Sequence, residues 1–175
     1  MDRDWMVLLG QQNQLAKVLD TNRRTRQFGL TLTEQDAGLL LKERTKALRE
    51  QRRVEFGEGI IPKIIDEFCD SSFIDQENYV ETLIRLQEIF YLYKNEMQDE
   101  ISDEELLHFM GEQFEDTCFG DLDYLEGTCL NIFSQAIRAG YRGYKASRGC
   151  GEYGNFDEVN RWDYELYLEA LKNLY

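Results

Sequence analysis

Residues 78–97 read NYVETLIRLQEIFYLYKNEM, and their spacing decides the fold. Tyr79, Leu83, Leu86, Phe90 and Met97 recur at the intervals that place side chains on one face of an α-helix. Val80, Ile84, Ile89, Tyr91, Leu92 and Tyr93 occupy most of the remaining circumference. A helix apolar nearly all round belongs at the centre of a bundle, where neighbours cover every side. Its start is placed near Asp75.

The same period extends outward in both directions. Trp5, Leu8, Leu9, Gln12, Leu15, Ala16 and Leu19 predict a helix over about 3–19. Thr33 with Asp36 three residues later forms a capping box for a helix running to about Arg53, with Ala37, Leu40, Leu41, Ala47 and Leu48 on one face. On its other side Lys42, Lys46, Arg49 and Arg53 form a basic stripe, which reads first as the wet side of a helix and second as a track for phosphate. Pro62 fits the first turn of a short helix, where its missing N–H costs nothing. Ser102 with Glu105 opens a fifth helix, Leu122 to Ile137 carry a sixth, and Asn155 with Glu158 opens a seventh reaching the C-terminus. Pro62 is the single proline in 175 residues, and no run of alternating residues bounded by turns predicts a strand. The expectation is an all-α protein: one compact bundle of six or seven helices, residues 1–175 forming a single helical domain around the apolar helix near 75–97.

Charge is unevenly spread. Residues 1–53 carry 11 basic and 7 acidic side chains, 54–137 carry 3 and 21, and 138–175 carry 6 and 6, so the three parts have net charges of +4, -18 and 0. The acidic middle repels nucleic acid and anionic lipid and favours basic neighbours. No window approaches 18 consecutive apolar residues, and the start MDRDWMVLLGQQNQ has acids beside its first basic residue, so neither a membrane span nor an export signal is expected. Cys69, Cys118, Cys129 and Cys150 form no C-x-x-C pair. They read as reduced thiols in a cytoplasm, the alternatives being a disulfide or a zinc site assembled from distant parts. No metal and no cofactor is expected.

The stretch from Arg53 to Met110 contains the runs RVEFG, FCDS and FYLYKNE. On these runs the chain resembles, over about residues 25–135, an uncharacterised family of bacterial proteins from anaerobic Gram-positive lineages. The resemblance implies a bacterial cytoplasm and carries no activity.

Each catalytic template fails on a named residue. Gly149-Cys150-Gly151-Glu152-Tyr153-Gly154 matches G-x-G-x-x-G, but no buried strand precedes it and no second βαβ element can follow. Glu105 and His108 make one Glu-x-x-His step of a di-iron bundle, which needs the step twice, and His108 is the single histidine. GDLDYLEGTCLNI fails as a calcium loop, since Leu125 replaces an oxygen ligand and Glu126 the turn glycine. Between Ile137 and Asn155, Tyr141, Arg142, Tyr144, Lys145 and Arg148 alternate rings with cations. Helix-end cations and a glycine-rich turn explain them; contact with an anion, RNA or a protein partner is the functional alternative. The reading that results is a non-enzymatic, cytoplasmic, helical interaction protein with a protein partner and a possible homodimer. A small helical enzyme using converging carboxylates, or a nucleic-acid-linked protein that contacts RNA through residues 141–148 or imitates DNA with its acidic middle, stands as the alternative.

Overall fold

A computed structural model describes residues 2–57 and 59–141. Among them every regular element is helical: α1 (Asp2–Asp20), α2 (Asn22–Thr25) with a 3-10 turn at Arg26–Phe28, α3 (Glu34–Gln51), α4 (Ile61–Phe68), α5 (Tyr79–Glu96), α6 (Asp103–Asp116), α7 (Leu122–Tyr124) and α8 (Leu130–Arg138), with a π-turn at Leu125–Cys129 between the last two. Six of these helices have eight residues or more, and the fold is all-α. The helix expected from Asn155 lies outside the described residues. The chain divides into two compact units, the first ending at Tyr91 and the second beginning at Leu92, inside α5.

In the first unit, side chains set the helix boundaries. The Thr33 hydroxyl accepts from the Asp36 N–H at 3.1 Å and the Asp36 carboxylate from the Thr33 N–H at 2.9 Å, closing the expected capping box. α3 stops at Gln51 rather than near Arg53 because Arg52 turns left-handed, at φ 55°, and the Arg53 N–H returns to the Leu48 carbonyl at 2.9 Å. Pro62 stands in the first turn of α4, whose Ile61, Ile64, Ile65 and Phe68 are buried. α5 begins at Tyr79 instead of Asp75. Asp75 and Asn78 each accept the other's N–H at 2.9 Å, which holds residues 75–78 in a turn ahead of the helix. Along α5, Leu83, Leu86, Ile89 and Phe90 are buried as expected, but so are the polar Thr82, Gln87 and Lys94.

In the second unit, Phe109 of α6 stacks on Phe133 of α8, with centroids 3.8 Å apart and planes 10° apart. Lys94 is buried and donates to the Ile101 carbonyl at 2.8 Å and to Asp103 at 2.9 Å, pinning the α5–α6 loop in which Gln98 and Asp99 adopt positive φ. Asp121, rejected above as a calcium ligand, caps α7 by accepting from the N–H groups of Asp123 and Tyr124 at 3.0 and 3.1 Å. The helix expected over Leu122–Ile137 is then interrupted. At the π-turn the Leu130 N–H reaches back five residues to the Leu125 carbonyl, and the carbonyl of Glu126 accepts the Tyr93 hydroxyl.

These buried weak acids predict alkaline behaviour. Burial pushes the Tyr79 and Tyr93 hydroxyls up to about 12, and burial together with the neighbouring Cys129 does the same to Cys118. A raised folded-state value favours the neutral form, so the stabilisation is complete below the ordinary values of 9.0 and 10.0 and is lost as pH climbs through them towards 12. Melting temperature measured from pH 8 to 11 should stay level at first and then fall steeply above about pH 9; a level profile to pH 11 contradicts this burial.

Candidate functional site

The first unit carries the site. α1 packs on α3, yet its first buried side chain among those described is Val18, and Trp5, Met6, Val7 and Leu8 are each more than half exposed. Four consecutive apolar side chains are thus left largely uncovered on this half of α1 among the described residues. Between α1 and α3 lies a cavity of about 780 Å³ whose apolar lining includes Leu8, Leu15 and Leu41 and whose cations are Lys42, Lys46 and Arg49. A second cavity of about 590 Å³ shares Gln11, Gln14, Thr45 and Arg49 with it and adds Val7, Leu48, Val54, Arg44, Arg53 and Glu55. The stripe expected to be the wet side of α3 is exposed at Lys42, Lys46 and Arg49, and it also lines a cleft beside apolar residues. Among the described residues five cations and one carboxylate line it, so its described lining is opposite in sign to the chain's net charge of -14.

That one carboxylate is already engaged. Arg44 sits on the α3 face that carries Ala37, Leu40 and Ala47, and its side chain is 7% exposed. Its Nε donates to Glu55 Oε1 at 2.6 Å and its Nη1 to the Gly57 carbonyl at 2.9 Å, while its Nη2 is buried with no hydrogen-bond partner among the described residues. Tyr91 donates its hydroxyl to the same Glu55 oxygen at 2.5 Å, and burial, then Glu55, pushes that phenol well above its ordinary value. A Cβ on Gly59, at φ +62°, would overlap the Glu55 carboxylate, so glycine is required there. With Arg53, Glu55 and Gly57 all tied down, the alternate residues turn outward: Val54 is 82% exposed and Phe56 87%.

Sequence reading passed over Arg44, although a charged residue at the spacing of Ala37, Leu40 and Ala47 is itself a signal that the chain supplies it a buried partner. Of the contact residues expected near the C-terminal third, Tyr141 is buried and its N–H closes the end of α8 on the Ala136 carbonyl at 2.9 Å. Arg142, Tyr144, Lys145 and Arg148, with the glycine motif at 149–154, lie outside the described residues. His108 is half-buried on α6, and among the described residues no three His, Cys, Asp or Glu side chains converge as a metal site would require. Burial raises the Glu88 carboxyl, with Arg85 pulling it down and Glu43 and Glu50 pushing it up, but Glu88 lines neither cavity. Cys69, Cys118 and Cys129 are buried free thiols, and the sulfurs of Cys118 and Cys129 stand 3.6 Å apart.

No curated protein and no solved structure matches the chain. No described helix is long and apolar enough to cross a membrane. The chain belongs to a family of unknown function, DUF6323, which matches residues 17–143 and so takes in α3, the Arg44–Glu55 cluster and the whole of α5 to α8, leaving the first sixteen residues outside.

Proposed function

We propose that this protein is a non-enzymatic binding module whose α1–α3 cleft takes an amphipathic helical segment of another protein, apolar on one side and acidic on its flanks. The observation that carries this reading is the row of Lys42, Lys46 and Arg49 beside Leu8, Leu15 and Leu41 in one cavity. The three cations fall at i, i+4 and i+7, about 10 Å from end to end along α3. Glutamates at the same period on a partner helix meet them one for one, while its leucines cover the floor.

Charge argues against a two-fold homodimer through this face, because the symmetry axis would set one copy's cations against the other's. The apolar floor argues against nucleic acid, whose backbone has nothing to place on it. A bacterial cytoplasm is the proposed setting; the buried free thiols support a reducing compartment.

The probe is a labelled 18-residue helical peptide with leucine at helical spacing and glutamate elsewhere, against a second peptide with lysine in place of glutamate. Saturable binding of the first, weakened about tenfold or more in K42E/K46E and by added salt, is expected. Equal affinity for both peptides, or tighter binding of anionic vesicles or single-stranded RNA than of the glutamate peptide, overturns the reading.

A further inference from the structure

We propose that Gly38 is the specificity-determining point of the α1–α3 cleft: a notch that takes one bulky apolar side chain of the bound segment, a helical turn beyond the acids that meet Lys42, Lys46 and Arg49. It rests on the peptide reading above and fixes the register of that segment on α3. Gly38 stands three residues before Leu41, four before Lys42, seven before Thr45 and eleven before Arg49, and all five line the larger cavity. These intervals put them on one face of the helix, so a side chain at position 38 would point where theirs do. Gly38 is exposed on that face.

The described fold does not ask for glycine here. The backbone at Gly38 is helical rather than left-handed, and a Cβ built on it meets nothing within 4 Å. Alanine would fit and would hold α3 better, because glycine is a poor residue in a helix interior. Gly59 is the opposite case, where the Glu55 carboxylate leaves no room for a Cβ. At Gly38 the missing side chain leaves a gap in the cavity wall, and the chemistry of the gap says what fills it. Gly38 lies beyond the first four residues of α3, so its N–H is bonded within the helix and is not offered to a ligand. What remains is the Cα and the flank of Leu41, one turn on. A polar group seated there would give up water without gaining a partner, whereas an apolar one gains contact. Gly38 and Lys42 are about 6 Å apart along the axis, one turn of a second helix laid alongside. The partner therefore carries a large apolar residue at one end of its acidic row.

The probe is the labelled glutamate peptide, titrated into full-length protein, together with two further versions in which alanine replaces the leucines of the first turn or of the last turn. G38A should raise the melting temperature by about 1–4 °C, since it mends the helix. The same variant should bind the glutamate peptide about threefold or more weakly, and G38L about tenfold or more weakly, because the added side chain occupies the notch. One of the two alanine peptides should bind the parent and G38A alike, which identifies the end that enters the notch. Gly127, exposed at the π-turn with the same open space and outside both cavities, supplies the control: G127A should leave peptide binding unchanged.

A glutamate peptide that responds to K42E/K46E but binds the parent, G38A and G38L alike overturns the notch and leaves the cleft reading standing. Equal weakening of all three peptides in G38A also overturns it, since no side chain of the partner is then read at that point. A lower melting temperature for G38A means that the fold itself needs this glycine, with the same result. No saturable binding of any of the peptides by the parent protein overturns the cleft reading, and the notch falls with it.

Discussion

Arg44→Met is expected to destabilise the first unit by about 3–5 kcal/mol, because it leaves the Glu55 carboxylate in a low-dielectric site without its counter-charge. Methionine fills most of the volume, so the loss reports the charge rather than a cavity. The pair is well enclosed, with side-chain exposures of 7% and 20%, and solvent screening therefore trims the effect only slightly. Adding Glu55→Gln to Arg44→Met should recover a large part of it, since the amide oxygen still accepts the Tyr91 hydroxyl and carries no charge to bury. Urea unfolding of the two single variants and the double variant measures the coupling. A loss below about 1 kcal/mol for Arg44→Met would mean that Glu55 escapes to solvent when its partner goes.

The second large effect is expected at Gly59, and its neighbour Gly57 supplies the control. Both have positive φ, +62° and +61°, so alanine at either pays the left-handed penalty of about 1–2 kcal/mol. At Gly57 an added Cβ meets open space, whereas at Gly59 it overlaps the Glu55 carboxylate and closes on Arg44 Nε. Gly59→Ala must therefore push the carboxylate off its two donors and should cost about 3–5 kcal/mol in all, against about 1–2 for Gly57→Ala. Thermal unfolding of the two variants side by side checks this. Equal losses would show that the loop backs away from the ion pair at no expense.

How much of this was legible in the sequence depends on the range of the interaction. The capping box of α3 spans three residues, Pro62 marks its own helix start, and the burial of Leu83, Leu86 and Phe90 follows from period alone; all are local and all are in the structure. The Arg44–Glu55–Tyr91 cluster joins positions 11 and 36 apart in the chain, and no local rule pairs them. The cleft was half legible: the basic stripe was visible, but only the packing of α1 against α3 turns a solvated face into a wall. The π-turn left a fainter trace. Leu125, Cys129, Phe133 and Ile137 repeat at intervals of four, and all are buried. A straight α-helix, at 3.6 residues per turn, would carry such a series gradually off its face.

That turn gives the second unit an unusual tolerance profile. The π-turn is equivalent to one residue held in surplus between α7 and α8, and everything beyond it is phased to that surplus. Loss of a single residue from 125–129 would let the segment close into an unbroken α-helix with better backbone hydrogen bonding, while rotating α8 by about 100° against α7. Phe133 would leave its stack on Phe109, and the Glu126 carbonyl would return to the helix and desert the Tyr93 hydroxyl. At this one place, drift in chain length is more dangerous than drift in residue identity, and a locally improved helix would be the sign of a lost fold.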